Sequence, residues 1–133
     1  MLTAYDYTSA RLGASANVDM LLVGDSLGQV MLGYDNTTQV TLDEMIHHCA
    51  AVTRSLDTGP SQAPHRPWVI CDLPFGTYSD AATAVESGVR CVKEGRADAI
   101  KLEGGTSSPA VLAQVKALEE IPREGLSHQD TTQ

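Results

Sequence analysis

The chain has few basic residues, few aromatic residues and no long apolar run. Its 133 residues contain nine lysines and arginines against 17 aspartates and glutamates, which gives a net charge of −8. Nucleic acids and anionic membranes select a basic face, so we expect neither as a partner. No apolar run reaches the roughly 20 residues of a membrane-spanning helix. No basic stretch precedes a long apolar run near the N-terminus, so no signal peptide is predicted.

Cysteine is too sparse to indicate a metal site or a disulfide framework. Cys49, Cys71 and Cys91 are far apart, and the sequence has no CxxC pair and none of the Cys and His spacings of a zinc site. Structural zinc is therefore not expected, and Cys71 is expected to be a core residue rather than a nucleophile. An odd, low count fits a reducing compartment. We expect a cytoplasmic protein, or a mitochondrial one if the source is a eukaryote.

Short apolar runs alternate with longer stretches of helical periodicity. Strands are predicted at 1–4, 20–23, 68–71 and 97–102, and the helices that follow them at 8–16, 41–56, 79–94 and 107–120. This βα order predicts a parallel α/β sheet with right-handed crossovers. A doubly wound open sheet and the first half of a TIM barrel both satisfy it.

Some local details follow from the same patterns. A short extra strand is predicted at 30–34, and Thr41 with Glu44 forms a capping-box pattern. The helix over 79–94 is expected to begin at Ser79 or Asp80. Its apolar face is expected to consist of Ala81, Val85, Val89 and Val92. Residues 1–120 should form one domain, and the polar segment 121–133, which has neither period, should be a disordered tail.

An acidic residue follows three of the four predicted strands. These residues are Asp25, Asp72 and Glu103. Parallel strands bring their carboxyl ends to one rim, so the three carboxylates are expected to share a site, and oxygen ligands suit a hard cation such as Mg²⁺. Each also has an ordinary structural explanation: Asp25 as a turn residue, Asp72 as a turn or cap residue, and Glu103 as half of an ion pair with Lys101.

Two neighbours of these carboxylates are candidates for substrate contacts. The Ser26 hydroxyl could hold a substrate carboxylate beside Asp25. Lys101 shares a strand face with Glu103 because the period of a strand is two, and it could neutralise a carboxylate or a developing oxyanion. A charged pair in an apolar strand is unfavourable unless it is paired or used, which favours a functional role.

Two further positions carry less weight. Tyr5 and Asp6, after the first strand, are weaker candidates for a fourth contribution to the same rim. His47 and His48 are adjacent on a helix and so do not share a face. They are expected to lie at the surface or to pack the helix rather than to bind a metal.

Three motifs in order, VGDSLG (23–28), DLPF (72–75) and KLEGG (101–105), resemble the ketopantoate hydroxymethyltransferase family. Matching segments span most of residues 1–105. The resemblance implies a TIM barrel of the phosphoenolpyruvate/pyruvate type, of which this chain would be the N-terminal half. It also implies transfer of a hydroxymethyl group from 5,10-methylenetetrahydrofolate to 2-oxoisovalerate, which gives ketopantoate for pantothenate and coenzyme A synthesis. The implied metal is Mg²⁺, and the implied assembly is a homo-oligomer.

The resemblance also assigns roles to residues. It implies that Asp25, Asp72 and Glu103 form the metal site, and that Asp25, Ser26, Asp72 and Lys101 contact the 2-oxoacid. The family's general base is a glutamate in the other half of the barrel, so no catalytic base is expected in this chain. His128 receives no catalytic role.

Two alternatives to an active hydroxymethyltransferase are compatible with the fold class. One is a truncated, catalytically inactive chain that keeps the Mg²⁺ and 2-oxoacid rim and acts at most as a subunit or binding piece. The other is a lyase or mutase of the same superfamily that acts on 2-oxoacids. The combination of VGDSLG with KLEGG argues against this second alternative.

Overall fold

The computed structural model describes residues 1–57, 65–104, 113 and 115–117. These residues contain a four-stranded parallel sheet with strands β1 (Leu2–Thr3), β2 (Met20–Val23), β3 (Trp68–Asp72) and β4 (Ala99–Lys101). The strand order in the sheet is the order in the chain. A doubly wound sheet reverses its strand order at a switch point, so the unbroken order favours winding in one direction, as in a barrel.

Four helices and one 3₁₀ turn connect the strands. They are α1 (Tyr7–Ser15), α2 (Leu27–Val30), the 3₁₀ turn (Thr37–Gln39), α3 (Leu42–Asp57) and α4 (Ala81–Lys93). In the described ranges, none of the helices has the length and hydrophobicity to cross a membrane. Residues 113 and 115–117 of the helix predicted at 107–120 are helical, while the rest of that helix and the predicted tail at 121–133 lie outside the described residues.

Side-chain caps set the helix starts. The capping box predicted before α3 is present: the Thr41 N–H donates to Glu44 Oε2 at 2.8 Å, and the Glu44 N–H donates to Thr41 Oγ1 at 3.2 Å. Asp80 caps α4, as one of the two predicted candidates. Helix α1 begins one residue earlier than predicted because Asp6 is its cap.

The strand predicted at 30–34 is wrong. Helix α2 ends at Val30, and the chain then turns through Gly33, whose φ of +75° lies in the region that glycine favours. The Tyr34 N–H donates to the Gly28 carbonyl at 2.8 Å, which folds this segment back onto α2 rather than into the sheet.

One face of the sheet packs against the helices and forms the core. Its fully buried strand residues are Leu21, Val23, Val69 and Cys71, and they contact a cluster that includes residues of α1, α3 and α4. Successive strand residues point to opposite faces. The other face carries Met20 and Trp68, which are 42% and 55% exposed. The side chain of Asp72, at the end of β3, belongs to this second face.

Gly28 packs so closely that no side chain fits at its position. A Cβ atom there would overlap a methyl group of Val40, which is 3% exposed, and would lie 3.3 Å from the Tyr34 ring. The glycine at the end of VGDSLG is therefore required by packing between α2 and the segment before α3.

We expect Gly28→Ala to lower the free energy of unfolding by about 1–3 kcal/mol, the usual effect of overpacking a dense core. Urea denaturation followed by circular dichroism would measure it. The second substitution Val40→Ala opens space for the new methyl group, so the double variant should lose less than the two single variants combined. Additive losses would show that the overlap with Val40 is not the cause.

Candidate functional site

Asp72 and Lys101 form a charge pair at the carboxyl ends of β3 and β4. The two residues are register partners, so their side chains lie on the same face of the sheet. Lys101 Nζ donates to Asp72 Oδ1 at 2.7 Å. The Asp72 side chain is 7% exposed and that of Lys101 is 40% exposed. The carboxylate is thus held inside the rim while the ammonium group remains accessible to a ligand.

The end of β2 meets the same carboxylate. The Asp25 backbone N–H donates to Asp72 Oδ2 at 3.3 Å. A Cβ atom at Gly24 would lie 3.0 Å from Ser26 Oγ and 3.4 Å from Asp72 Oδ2. Two predicted strand ends therefore converge, and Ser26 and Asp72 flank one glycine that leaves room between them.

Glu103 lies at the margin of this group. It follows β4 by two residues, its side chain is 74% exposed, and its carboxylate is 3.6 Å from Lys101 Nζ. The ion pair predicted between Lys101 and Glu103 is present, but the shorter bond of Lys101 is to Asp72.

Burial and neighbouring charges shift the pKa values of Asp72 and Lys101. Burial raises the pKa of Asp72 above its usual value, and the hydrogen bond and charge of Lys101 offset this only in part; the nearby charge of Asp25 raises the pKa further. Burial tends to lower the pKa of Lys101, but the hydrogen bond and charge of Asp72 outweigh it, so the pKa of Lys101 is raised. Lys101 therefore stays cationic at neutral pH.

Asp25 and Asp72 are the predicted ligands that the structure brings together at this rim. Mg²⁺ in proteins commonly takes one or two carboxylates and keeps several waters, and both carboxylates lie on this rim. Across the part of the chain that the structure describes, no three acidic, histidine or cysteine side chains are grouped as a ready-made metal cage. The roles of Asp25, Asp72 and Glu103 in a metal site stay predictions.

Tyr5 and His48 extend the group away from the charges. The Tyr5 hydroxyl lies 2.8 Å from Ser26 Oγ, and Nδ1 of His48 lies 2.6 Å from the Tyr5 carbonyl oxygen. His48 is half-buried on α3. Sequence reasoning gave His48 no part in the site, because no spacing along the chain links α3 to the end of β1.

The three cysteines meet in the core and not on the rim. All three are free thiols, with no disulfide between them, and all are fully buried: Cys49, Cys71 and Cys91. Contacts with the Cys49 and Cys91 thiols, together with burial, raise the pKa of Cys71 far above its usual value. Cys71 is therefore a neutral core thiol, as predicted.

Three comparisons relate the chain to known proteins. The family model for ketopantoate hydroxymethyltransferase matches residues 1–123. The 3-methyl-2-oxobutanoate hydroxymethyltransferase of an Exiguobacterium species is 46% identical over 129 residues, which cover 96% of this chain and 43% of the relative. The enzyme of the same name from Oleidesulfovibrio alaskensis is 52% identical over 119 residues, covering 88% and 38%. The chain thus spans about two fifths of the length of these relatives.

A solved structure supports the fold. The crystal structure of oxaloacetate acetylhydrolase matches with a TM-score of 0.67 at 18% identity, over 88% of this chain and 40% of that one. Identity this low carries the fold alone. The predicted fold class is confirmed: an α/β fold of parallel βα units whose strands lie in chain order.

Proposed function

The chain belongs to the ketopantoate hydroxymethyltransferase family, and we propose that it carries the 2-oxoacid- and metal-binding rim of such an enzyme. The reaction proposed is transfer of a hydroxymethyl group from 5,10-methylenetetrahydrofolate to 2-oxoisovalerate (3-methyl-2-oxobutanoate), giving ketopantoate. The observation that carries the proposal is the Asp72–Lys101 pair beside Ser26 and Asp25, which places a carboxylate, a cation and a hydroxyl at one rim.

Ser26 and Lys101 suit the two adjacent polar groups of a 2-oxoacid, its carboxylate and its keto oxygen. The Ser26 hydroxyl can donate a hydrogen bond to the substrate carboxylate. Lys101 Nζ has three donor positions, of which Asp72 Oδ1 takes one at 2.7 Å. A second N–H can point to the keto oxygen, where negative charge develops when the neighbouring C–H bond loses its proton. A fixed cation at that oxygen stabilises the enolate more than it stabilises the ketone, so it lowers the barrier.

Asp25 and Asp72 are the residues that would hold Mg²⁺. When bound there, the ion acts as a Lewis acid that polarises the keto carbonyl and makes the adjacent C–H more acidic. The two carboxylates would offset the charge of the ion, and the hydrogen bond from Lys101 favours the ionised form of Asp72 against the effect of burial. The proposed share of this chain in the reaction is therefore binding, orientation and charge stabilisation. The proton acceptor is placed in the family's other half-barrel.

Four wider parts of the proposal follow from family membership. They are the folate co-substrate, a place in pantothenate biosynthesis, assembly as a homo-oligomer, and a cytoplasmic or mitochondrial location.

Isothermal titration with 2-oxoisovalerate tests the binding proposal. We expect heat of binding in the presence of Mg²⁺ and at least about tenfold weaker binding after EDTA treatment, since the keto oxygen then loses its Lewis acid. Isovalerate, which has the carboxylate and lacks the keto oxygen, is the matched control ligand and should show little dependence on Mg²⁺. Binding of the two ligands with the same affinity and no dependence on Mg²⁺ would contradict the proposed site.

A further inference from the structure

Three residues from separate parts of the chain form a hydrogen-bonded series behind the rim. Tyr5 follows β1, Ser26 follows β2 and His48 lies on α3. The Tyr5 hydroxyl is 2.8 Å from Ser26 Oγ, and His48 Nδ1 is 2.6 Å from the Tyr5 carbonyl oxygen. All three side chains are half-buried, so the series links the helix layer to the open rim.

The available protons determine which atom donates and which accepts in each of these hydrogen bonds. A carbonyl oxygen can only accept, so Nδ1 of His48 carries the proton that it shares with Tyr5. The Ser26 hydroxyl has a single proton and two lone pairs. If that proton is given to a substrate carboxylate, Ser26 Oγ must accept from Tyr5. The Tyr5 phenol has a proton to give, and its position is fixed through its backbone by His48.

We propose that Tyr5 and His48 are positioning residues for Ser26, and that they orient its hydroxyl proton toward the carboxylate of the bound 2-oxoacid. This inference rests on the proposed function, since it takes Ser26 as the carboxylate contact. Tyr5 acts by donating to Ser26 Oγ, which removes the rotamer in which the serine proton points back at Tyr5. His48 acts at one remove, by holding the Tyr5 backbone against α3.

The binding consequence is an entropic and electrostatic gain. A free serine hydroxyl rotates among three staggered positions, and only some of them aim the proton at the ligand. A donor behind the oxygen removes the unproductive position that faces Tyr5. It also polarises the Ser26 O–H bond, because hydrogen bonds in series strengthen one another.

Tyr5→Phe is the primary test, since phenylalanine keeps the ring packing and removes the one hydroxyl. With Mg²⁺ present, titration of 2-oxoisovalerate should show about tenfold weaker binding, the size of one hydrogen bond to a charged ligand passed through Ser26. Ser26→Ala should weaken binding by a similar factor. The double variant should bind no more weakly than Ser26→Ala alone, because Tyr5 acts only through Ser26.

His47 and His48 provide a matched pair for the helix contact. They are neighbours on α3, but His47 is exposed and His48 contacts the Tyr5 carbonyl. His48→Ala should weaken binding of 2-oxoisovalerate by about threefold, a fraction of the Tyr5 effect, and His47→Ala should leave it unchanged. Melting temperatures measured in parallel show whether either variant loses the fold.

The outcomes separate this inference from the function on which it rests. If the unaltered protein and Ser26→Ala both fail to bind 2-oxoisovalerate with Mg²⁺, the proposed function and this inference fall together. If the unaltered protein binds and Tyr5→Phe binds equally well, only the positioning role is overturned. If the affinity losses of Tyr5→Phe and Ser26→Ala multiply in the double variant, Tyr5 contacts the ligand independently of Ser26. That result also overturns the positioning role.

Discussion

Lys101→Met is expected to lower the free energy of unfolding by about 2 kcal/mol at neutral pH. Methionine keeps the length of the side chain and removes the cation, so the nearly buried Asp72 carboxylate loses the ammonium group 2.7 Å away. Breaking a fully buried ion pair typically lowers stability by about 3–5 kcal/mol. Because Lys101 is 40% exposed, solvent screens the pair, and a value of about 2 kcal/mol is appropriate.

A double variant separates the loss of the pair from the loss of the lysine stem. In Lys101→Met with Asp72→Leu, the nearly buried carboxylate that lost its partner is also removed, so the double variant should be more stable than Lys101→Met alone. Urea denaturation of the four proteins gives the coupling between the two positions. A double variant as unstable as the sum of the single changes would show that the two side chains do not depend on each other.

The pH dependence of the Lys101→Met effect has a fixed sign. Burial raises the folded-state pKa of Asp72, so the folded state binds the carboxyl proton more tightly than the unfolded state does. Stability from such a group is fully present below the unfolded pKa of about 4 and is lost as pH rises through the folded pKa. Removing Lys101 raises that folded pKa further. The deficit of Lys101→Met should therefore shrink between pH 7.5 and pH 4.5. A deficit that grows on acidification would mean that the unpaired Asp72 carboxylate is not its cause.

Asp72→Asn is expected to weaken Mg²⁺-dependent binding of 2-oxoisovalerate by at least about 100-fold, whereas Glu103→Gln should change it by less than about threefold. Both substitutions remove one negative charge and nearly preserve side-chain shape. Asp72 sits inside the rim against Lys101 and Asp25, but Glu103 points to solvent with 74% of its side chain exposed. The difference in position therefore predicts the difference in effect.

Titration calorimetry with and without Mg²⁺ checks this contrast directly. Cys71→Ser is a useful stability control, because Cys71 precedes Asp72 but points into the core. It should reduce stability without a change in affinity for the metal. Equal loss of binding in Asp72→Asn and Glu103→Gln would place Glu103 at the metal and contradict a site centred on Asp25 and Asp72.

Features encoded within a short segment were predictable. The bounds of β2, the capping box before α3 and the cap of α4 follow from neighbouring residues, and the structure has them as expected. The meeting of Asp25 and Asp72 was also predictable, because parallel topology alone places strand ends together.

The partner of Lys101 was harder to predict. Period-two reasoning paired Lys101 with Glu103 two positions on, and that contact is present at 3.6 Å, although β4 ends at Lys101. The shorter bond comes from Asp72, 29 positions earlier in the chain, through the register of β3 against β4. Register between distant strands is a tertiary property, and no local pattern reports it.

The buried face of α4 was predicted wrongly for a different reason. Hydrophobicity favoured Val85, Val89 and Val92, but the buried residues are small: Ala84, Ser87, Gly88 and Cys91. Close packing of the helix selects volume over hydrophobicity. Ser87 satisfies its hydroxyl by donating to the Thr77 carbonyl at 2.7 Å, so its burial leaves no polar group unpaired.

The order of strands in the sheet also fixes the order in which the rim can assemble during translation. Each strand pairs with the one synthesised before it, so the sheet can grow while the chain leaves the ribosome. Asp72 then emerges 29 residues ahead of Lys101, which is roughly 1.5 to 6 seconds at about 5–20 residues per second. During that interval the carboxylate has no ammonium partner and stays hydrated or protonated. Arrival of β4 closes the ion pair, so docking of the fourth strand and completion of the charged rim are one event.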